Sequence, residues 1–108
     1  MSISLSDFQE LISNFKSHIL VSPHALDQIS DAQRSVFNEE FLMRTLLAEN
    51  PRGIGLQKNG RHAVFYKRKE GFMKIIIEKK QNRLEIITFI NVDAMPNLKR
   101  LENENKTS

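Results

Sequence analysis

The chain has 108 residues, 40% of them hydrophobic, 27% charged and none of them cysteine, with a formal net charge of +3. That length suits one globular core, and the lack of cysteine excludes disulfides, thiolate metal sites and a cysteine nucleophile. The three histidines, His18, His24 and His62, are too scattered to read as a metal cluster, and the longest apolar runs are far shorter than the roughly 20 residues of a membrane helix.

Leu5, Phe8, Leu11, Ile12, Phe15 and Ile19 recur at three- and four-residue steps, which predicts a helix from Ser4 to Ser17, with Ser6 and Gln9 matching a capping box. Ser22 suits an N-cap and Pro23 the first helical position, because proline's missing N–H is unbonded there in any case. A second, short helix is therefore expected from Pro23, with Ala25, Leu26, Ile29 and Ala32 on its buried face. Asn38-Glu39-Glu40 marks a third start, a capping Asn followed by two carboxylates that the helix dipole favours, and Asn50-Pro51 stops that helix.

After Gly53 the pattern turns to β-rich runs separated by Asn59-Gly60, Glu70-Gly71 and Gln81-Asn82, which predicts hairpin turns between strands near 54–58, 61–68, 72–79 and 84–92. The expected fold is α+β: three N-terminal helices packed on a four-stranded antiparallel sheet within one domain, 1–100, followed by a disordered tail, 101–108. In the third strand Met73, Ile75 and Ile77 should face the helices. In the fourth, Leu84, Ile86 and Ile90 share one side and Ile87 and Phe89 the other, so that strand is either covered on both faces or offers a partner surface. The N-terminus carries Asp7 and Glu10 and no basic stretch before an apolar one, so no secretory signal is expected and the location should be cytoplasmic.

The modest net charge conceals a sign change. Residues 1–50 hold three basic side chains against seven acidic, a net of −4, whereas residues 51–100 hold twelve against four, a net of +8. A polyanionic partner is the natural reading of the second half. Its second strand alternates, with His62, Val64, Tyr66 and Arg68 on one side and Arg61, Ala63, Phe65 and Lys67 on the other. Interleaved cations and aromatics suit RNA, because cations bind phosphates and rings stack on unpaired bases. Lys58, Lys74, Lys79, Lys80 and Arg83 extend the patch. A solvated edge whose lysines prevent sheet-to-sheet pairing would look similar.

His24 stands in the first turn of the second helix, where the dipole lowers an imidazole's pKa and free backbone N–H groups can hold a phosphate, although a packing or capping role would place it there too. No carboxylate pair suggests hydrolysis, since Glu39-Glu40 caps a helix and Asp93 follows a strand. Gly53-Ile54-Gly55 lacks the helix and the Gly-Lys-Ser/Thr ending of a phosphate loop.

From Val21 to Ile29 the chain resembles the BrnT toxin family, in which a helix opens with His-Ala, two further residues, then Arg and an apolar residue; here Gln28 stands in place of that Arg. Ala48-Glu49-Asn50-Pro51 and the strand-ending Ile86-Ile87-Thr88 look like its later features, so the resemblance spans roughly residues 19–93. It implies kinship to the wider RelE/ParE toxin superfamily, a RelE-like fold and metal-independent RNA cleavage in which a 2′-hydroxyl attacks the adjacent phosphate. No cofactor is implied. In that chemistry His24 would be base or acid, and Arg61, Lys67 or Arg68 would clamp the phosphate. His62 or Tyr66 would complete the acid-base pair or stack a base, and Thr88 would orient a neighbour. Lys58, Arg61, Tyr66, Arg68 and Lys74 would bind RNA, the implied substrate, with mRNA on the ribosome as one form of it, and the implied protein partner is a cognate antitoxin. Two other readings remain open: a nucleic-acid-binding module without chemistry, and a ParE-like toxin that blocks an enzyme through Ile87 and Phe89.

Overall fold

The computed structural model describes residues 3–27 and 36–95. Helix α1 (Leu5–Asn14) starts where Ser4, in extended backbone, accepts the Asp7 N–H at 3.1 Å. The cap thus sits two residues before the expected Ser6, and it satisfies one of the helix's unpaired N–H groups, a contribution of about 1 kcal/mol. At the other end the Phe15 N–H closes onto the Leu11 and Ile12 carbonyls, so the helix stops short of Ser17.

Beyond that stop lies the main departure from expectation. Ile19 does not continue the helical stripe but opens a short strand, β1 (Ile19–Val21). Helix α2 (Pro23–Asp27) follows directly, with Ala25 buried, and the expected positions Gln28, Ile29 and Ala32 lie outside the described residues. Helix α3 (Glu39–Ala48) matches its predicted start: Asn38 Oδ1 accepts the Phe41 N–H at 2.9 Å, with Glu39 and Glu40 in the first turn. Buried Thr45 is satisfied by donating to the Phe41 carbonyl at 2.9 Å.

Four further strands follow as predicted, within a residue or two: β2 (Gly53–Leu56), β3 (His62–Lys67), β4 (Phe72–Lys79) and β5 (Leu84–Val92). The sheet has five strands rather than four and is mixed rather than antiparallel, in the order β1-β5-β4-β3-β2, because β1 pairs parallel with β5. The Leu84 N–H donates to the His18 carbonyl and the Ser22 N–H to the Ile86 carbonyl, both at 2.9 Å, which extends that ladder past each end of β1.

One face of the sheet carries the main core. Val64, Tyr66, Met73, Ile75, Ile77, Leu84 and Ile86 pack against Phe8 and Ile12 of α1 and Leu42 and Leu46 of α3. Each such side chain contributes roughly 1.5–3 kcal/mol by leaving water. The predicted inward set of β4, Met73, Ile75 and Ile77, is found there. In β5 the predicted parity fails half-way. Ile77 pairs with Ile86 but Ile76 pairs with Thr88, so Ile87 is an extra residue. This bulge turns Phe89 onto the helix face, against Phe37 at 5.7 Å, and leaves Ile90 on the other side, 48% exposed. Among the described residues no helix is long and apolar enough to cross a membrane. The expected tail, 101–108, lies outside the described residues.

Candidate nucleic-acid interface

The alternation of β3 decides which side chains can act together. His62, Val64 and Tyr66 point to the helix-covered face, whereas Ala63, Phe65 and Lys67 point to the second face, where Ala63, Phe65 and Ile76 form a small cluster with Ile87 and Val92. No described helix belongs to that cluster. The neighbouring register completes the second face: Lys74 stands opposite Phe65, and Phe72 opposite Lys67. Across β5, Thr88, Ile90 and Val92 stand opposite Ile76, Lys74 and Phe72. Toward β2, Phe65 and Ala63 pair with Gly53 and Gly55, which offer backbone without side chains.

Two lysines sit over rings on this face. Lys67 Nζ lies 4.8 Å from the centroid of Phe72 and also donates to the Gly71 carbonyl at 3.3 Å, and Lys74 Nζ lies 5.8 Å from the centroid of Phe65. Such contacts hold an ammonium by the ring's quadrupole without neutralising it. Among the described residues no carboxylate pairs with either lysine. Phe65 is only 1% exposed, so the half-buried Phe72 is the ring with surface to offer a base.

The opposite end of the face is different. Glu78 and Glu85 stand directly opposite each other, an unfavourable juxtaposition of like charges. Cations offset it: Arg61 Nε at 3.5 Å and Lys80 Nζ at 3.2 Å from Glu78, and Arg83 Nε at 3.6 Å from Glu85. Arg61 therefore shares the face with Lys67 and Lys74 but is partly committed.

The other candidates lie elsewhere. Arg68 forms a two-pronged pair with Glu49, at 2.8 and 3.2 Å, and clamps β3 to the end of α3. Tyr66 is 1% exposed and presents no ring to a base. Burial pushes its phenol well above the ordinary range, the Glu49 carboxylate adds to this, and the Arg68 guanidinium opposes it. His62 is held below its ordinary value by burial and then by the Lys79 ammonium. Lys58 lies exposed in the turn between β2 and β3. His24 is 88% exposed, with Nδ1 3.7 Å from Asp27 Oδ2. It follows β1, and β5 and β4 intervene between β1 and β3, three strand spacings of about 4.8 Å each. The second face thus gathers Arg61, Lys67, Lys74 and Thr88, while His62, Tyr66 and Arg68 belong to the helix side.

Two predictions follow from the buried groups on that side. The Tyr66 hydroxyl finds no hydrogen-bond partner among the described residues, so Tyr66→Phe is expected to stabilise the fold by about 1 kcal/mol. Thermal unfolding checks this, and a lowered midpoint would mean that the hydroxyl has a partner after all. His62 resists protonation in the folded chain. As pH falls through about 6.5 the unfolded chain takes up a proton that the folded chain refuses, and stability is lost on the acid side. Urea midpoints should show this loss below about pH 6.5, and His62→Gln should reduce it.

Comparison with family profiles, with curated proteins and with solved structures finds no match to this chain. Among the described residues no group of three or more His, Asp or Glu side chains could hold a metal ion.

Proposed function

We propose that the protein is a nucleic-acid-binding module that holds a single strand on the β3–β4 part of the second face. One observation carries this reading: Lys67 and Lys74 stand diagonally across the β3–β4 pair, each over the ring opposite it, Phe72 and Phe65, without a carboxylate partner among the described residues. The ammonium groups supply phosphate contacts and the half-buried Phe72 a stacking surface. With two or three phosphates engaged, log K should fall against log salt with a slope between about −1.4 and −2, as expected for single strands. Fluorescence anisotropy with a labelled oligonucleotide of mixed sequence measures this, and no binding even at about 50 mM salt would refute the proposal.

A second reading, metal-independent RNA cleavage, rests on the exposed His24, an imidazole suited to proton transfer with the Asp27 carboxylate 3.7 Å away. Incubating end-labelled RNA with the protein and chelator separates the two. Products that vanish with His24→Ala support cleavage, and intact RNA that remains bound supports binding alone.

A further inference from the structure

The bulge at Ile87 re-aims the second half of β5. Before it, Leu84 and Ile86 point to the helices, and an unbroken alternation would send Thr88 and Ile90 the same way. The extra residue places both on the second face instead, Thr88 opposite Ile76 and Ile90 opposite Lys74. Thr88 is half-buried there, and among the described residues its hydroxyl has no hydrogen-bond partner.

The register then sets three polar side chains in a row. Lys67 of β3 stands opposite Phe72, Lys74 follows two residues along β4, and Thr88 of β5 stands opposite Ile76, two residues further again. Lys67, Lys74 and Thr88 therefore occupy one diagonal of the sheet, in steps of about 7–8 Å. This diagonal divides the face. On one side Phe72 and Val92 are half-buried and Ile90 is exposed, so apolar surface is open to a ligand. On the other, Ala63, Phe65 and Ile76 are buried and present almost none.

We propose that a single strand crosses this face along the diagonal, with successive phosphates at Lys67, Lys74 and Thr88 and its bases laid over Phe72 and Ile90. Thr88 is the third phosphate contact, its hydroxyl donating to a phosphate oxygen, a contact that threonine commonly makes to nucleic-acid backbones. The assignment rests on the nucleic-acid reading and gives the strand a direction and a further binding residue. An anionic repeat with flat groups on one side fits the divided face. An acidic peptide, whose side chains alternate to both sides, would meet open apolar surface on only one.

The test is fluorescence anisotropy of the full chain with a labelled tetranucleotide, which carries three phosphates, from about 50 mM salt upward. Thr88→Val keeps the shape of the side chain and should weaken binding about tenfold, as expected for the loss of a hydrogen bond to a charged group. Its salt slope should equal that of the unaltered chain, because a neutral hydroxyl releases no counterion, whereas Lys74→Gln should flatten the slope by about 0.7. Thr88→Ser retains the hydroxyl and should bind as the unaltered chain does. Independently of any variant, the tetranucleotide should shift the backbone amides of Thr88 and Ile90 along with those of Lys67 and Lys74. Undiminished binding by Thr88→Val, or unmoved Thr88 and Ile90 amides while those of Lys67 and Lys74 shift, overturns the diagonal and leaves the nucleic-acid reading standing. No binding by the unaltered chain overturns both.

Discussion

Gly71→Ala is expected to destabilise the protein by about 3 kcal/mol, lowering the unfolding midpoint by more than roughly 10 °C. Two costs combine. The residue has φ +87°, a left-handed conformation that an L side chain enters at about 1–2 kcal/mol. A Cβ there would also run into the Val92 carbonyl oxygen and lie 3.2 Å from the Asp93 Cα, and both are backbone atoms that cannot turn aside. The Gly71 carbonyl further accepts the Arg68 N–H at 3.0 Å, so shifting the turn loosens the β3–β4 hairpin. Gly60 is the natural control: its φ is +84°, but a Cβ there would meet nothing within 4 Å. Gly60→Ala should therefore show the conformational cost alone, about 1–2 kcal/mol. Equal losses in the two variants would remove the clash from the explanation.

Lys67→Glu combined with Lys74→Glu is expected to lower affinity for single-stranded RNA about a hundredfold at low salt. Each substitution removes a phosphate contact and adds a repulsive charge on the same face. Because two contacts are lost, the salt slope should flatten by about 1.4. Circular dichroism should be unchanged, since Lys67 is exposed and Lys74 only half-buried. Arg68→Gln supplies the contrast: Arg68 is already engaged by Glu49, so its loss should lower stability rather than the salt slope. An unaltered slope in the double variant would exclude this face as the binding surface.

The caps and strands of this chain were legible because their causes are local. Asn38 with Glu39 and Glu40 announces α3 within one turn, and the Asn59-Gly60 and Glu70-Gly71 pairs announce two left-handed turn positions. The inward set Met73, Ile75 and Ile77 follows from alternation along a single strand. β1 was not legible. Three residues are too few to display a period of two, and Ile19 happens to continue the helical spacing of α1. Only pairing with β5, more than sixty residues later, makes it a strand.

The candidate site shows the same division. Alternation correctly separates Arg61 and Lys67 from His62, Tyr66 and Arg68, because the side-chain period of a strand is intrinsic to its backbone. It does not say which of the two sets lies under the helices, and Tyr66, the ring expected to stack on a base, is buried there. Nor does it reveal that Arg68 is held by Glu49, or that Phe89 and Ile90 exchange sides at the bulge. The start of α3, the two glycine turns and the phases of β3 and β4 are carried by residues within a few positions of one another, so sequence suffices for them. The covered face, the partners of each cation and the gathering of Lys67, Lys74 and Phe72 depend on inter-strand register and on where helices distant in the chain come to rest.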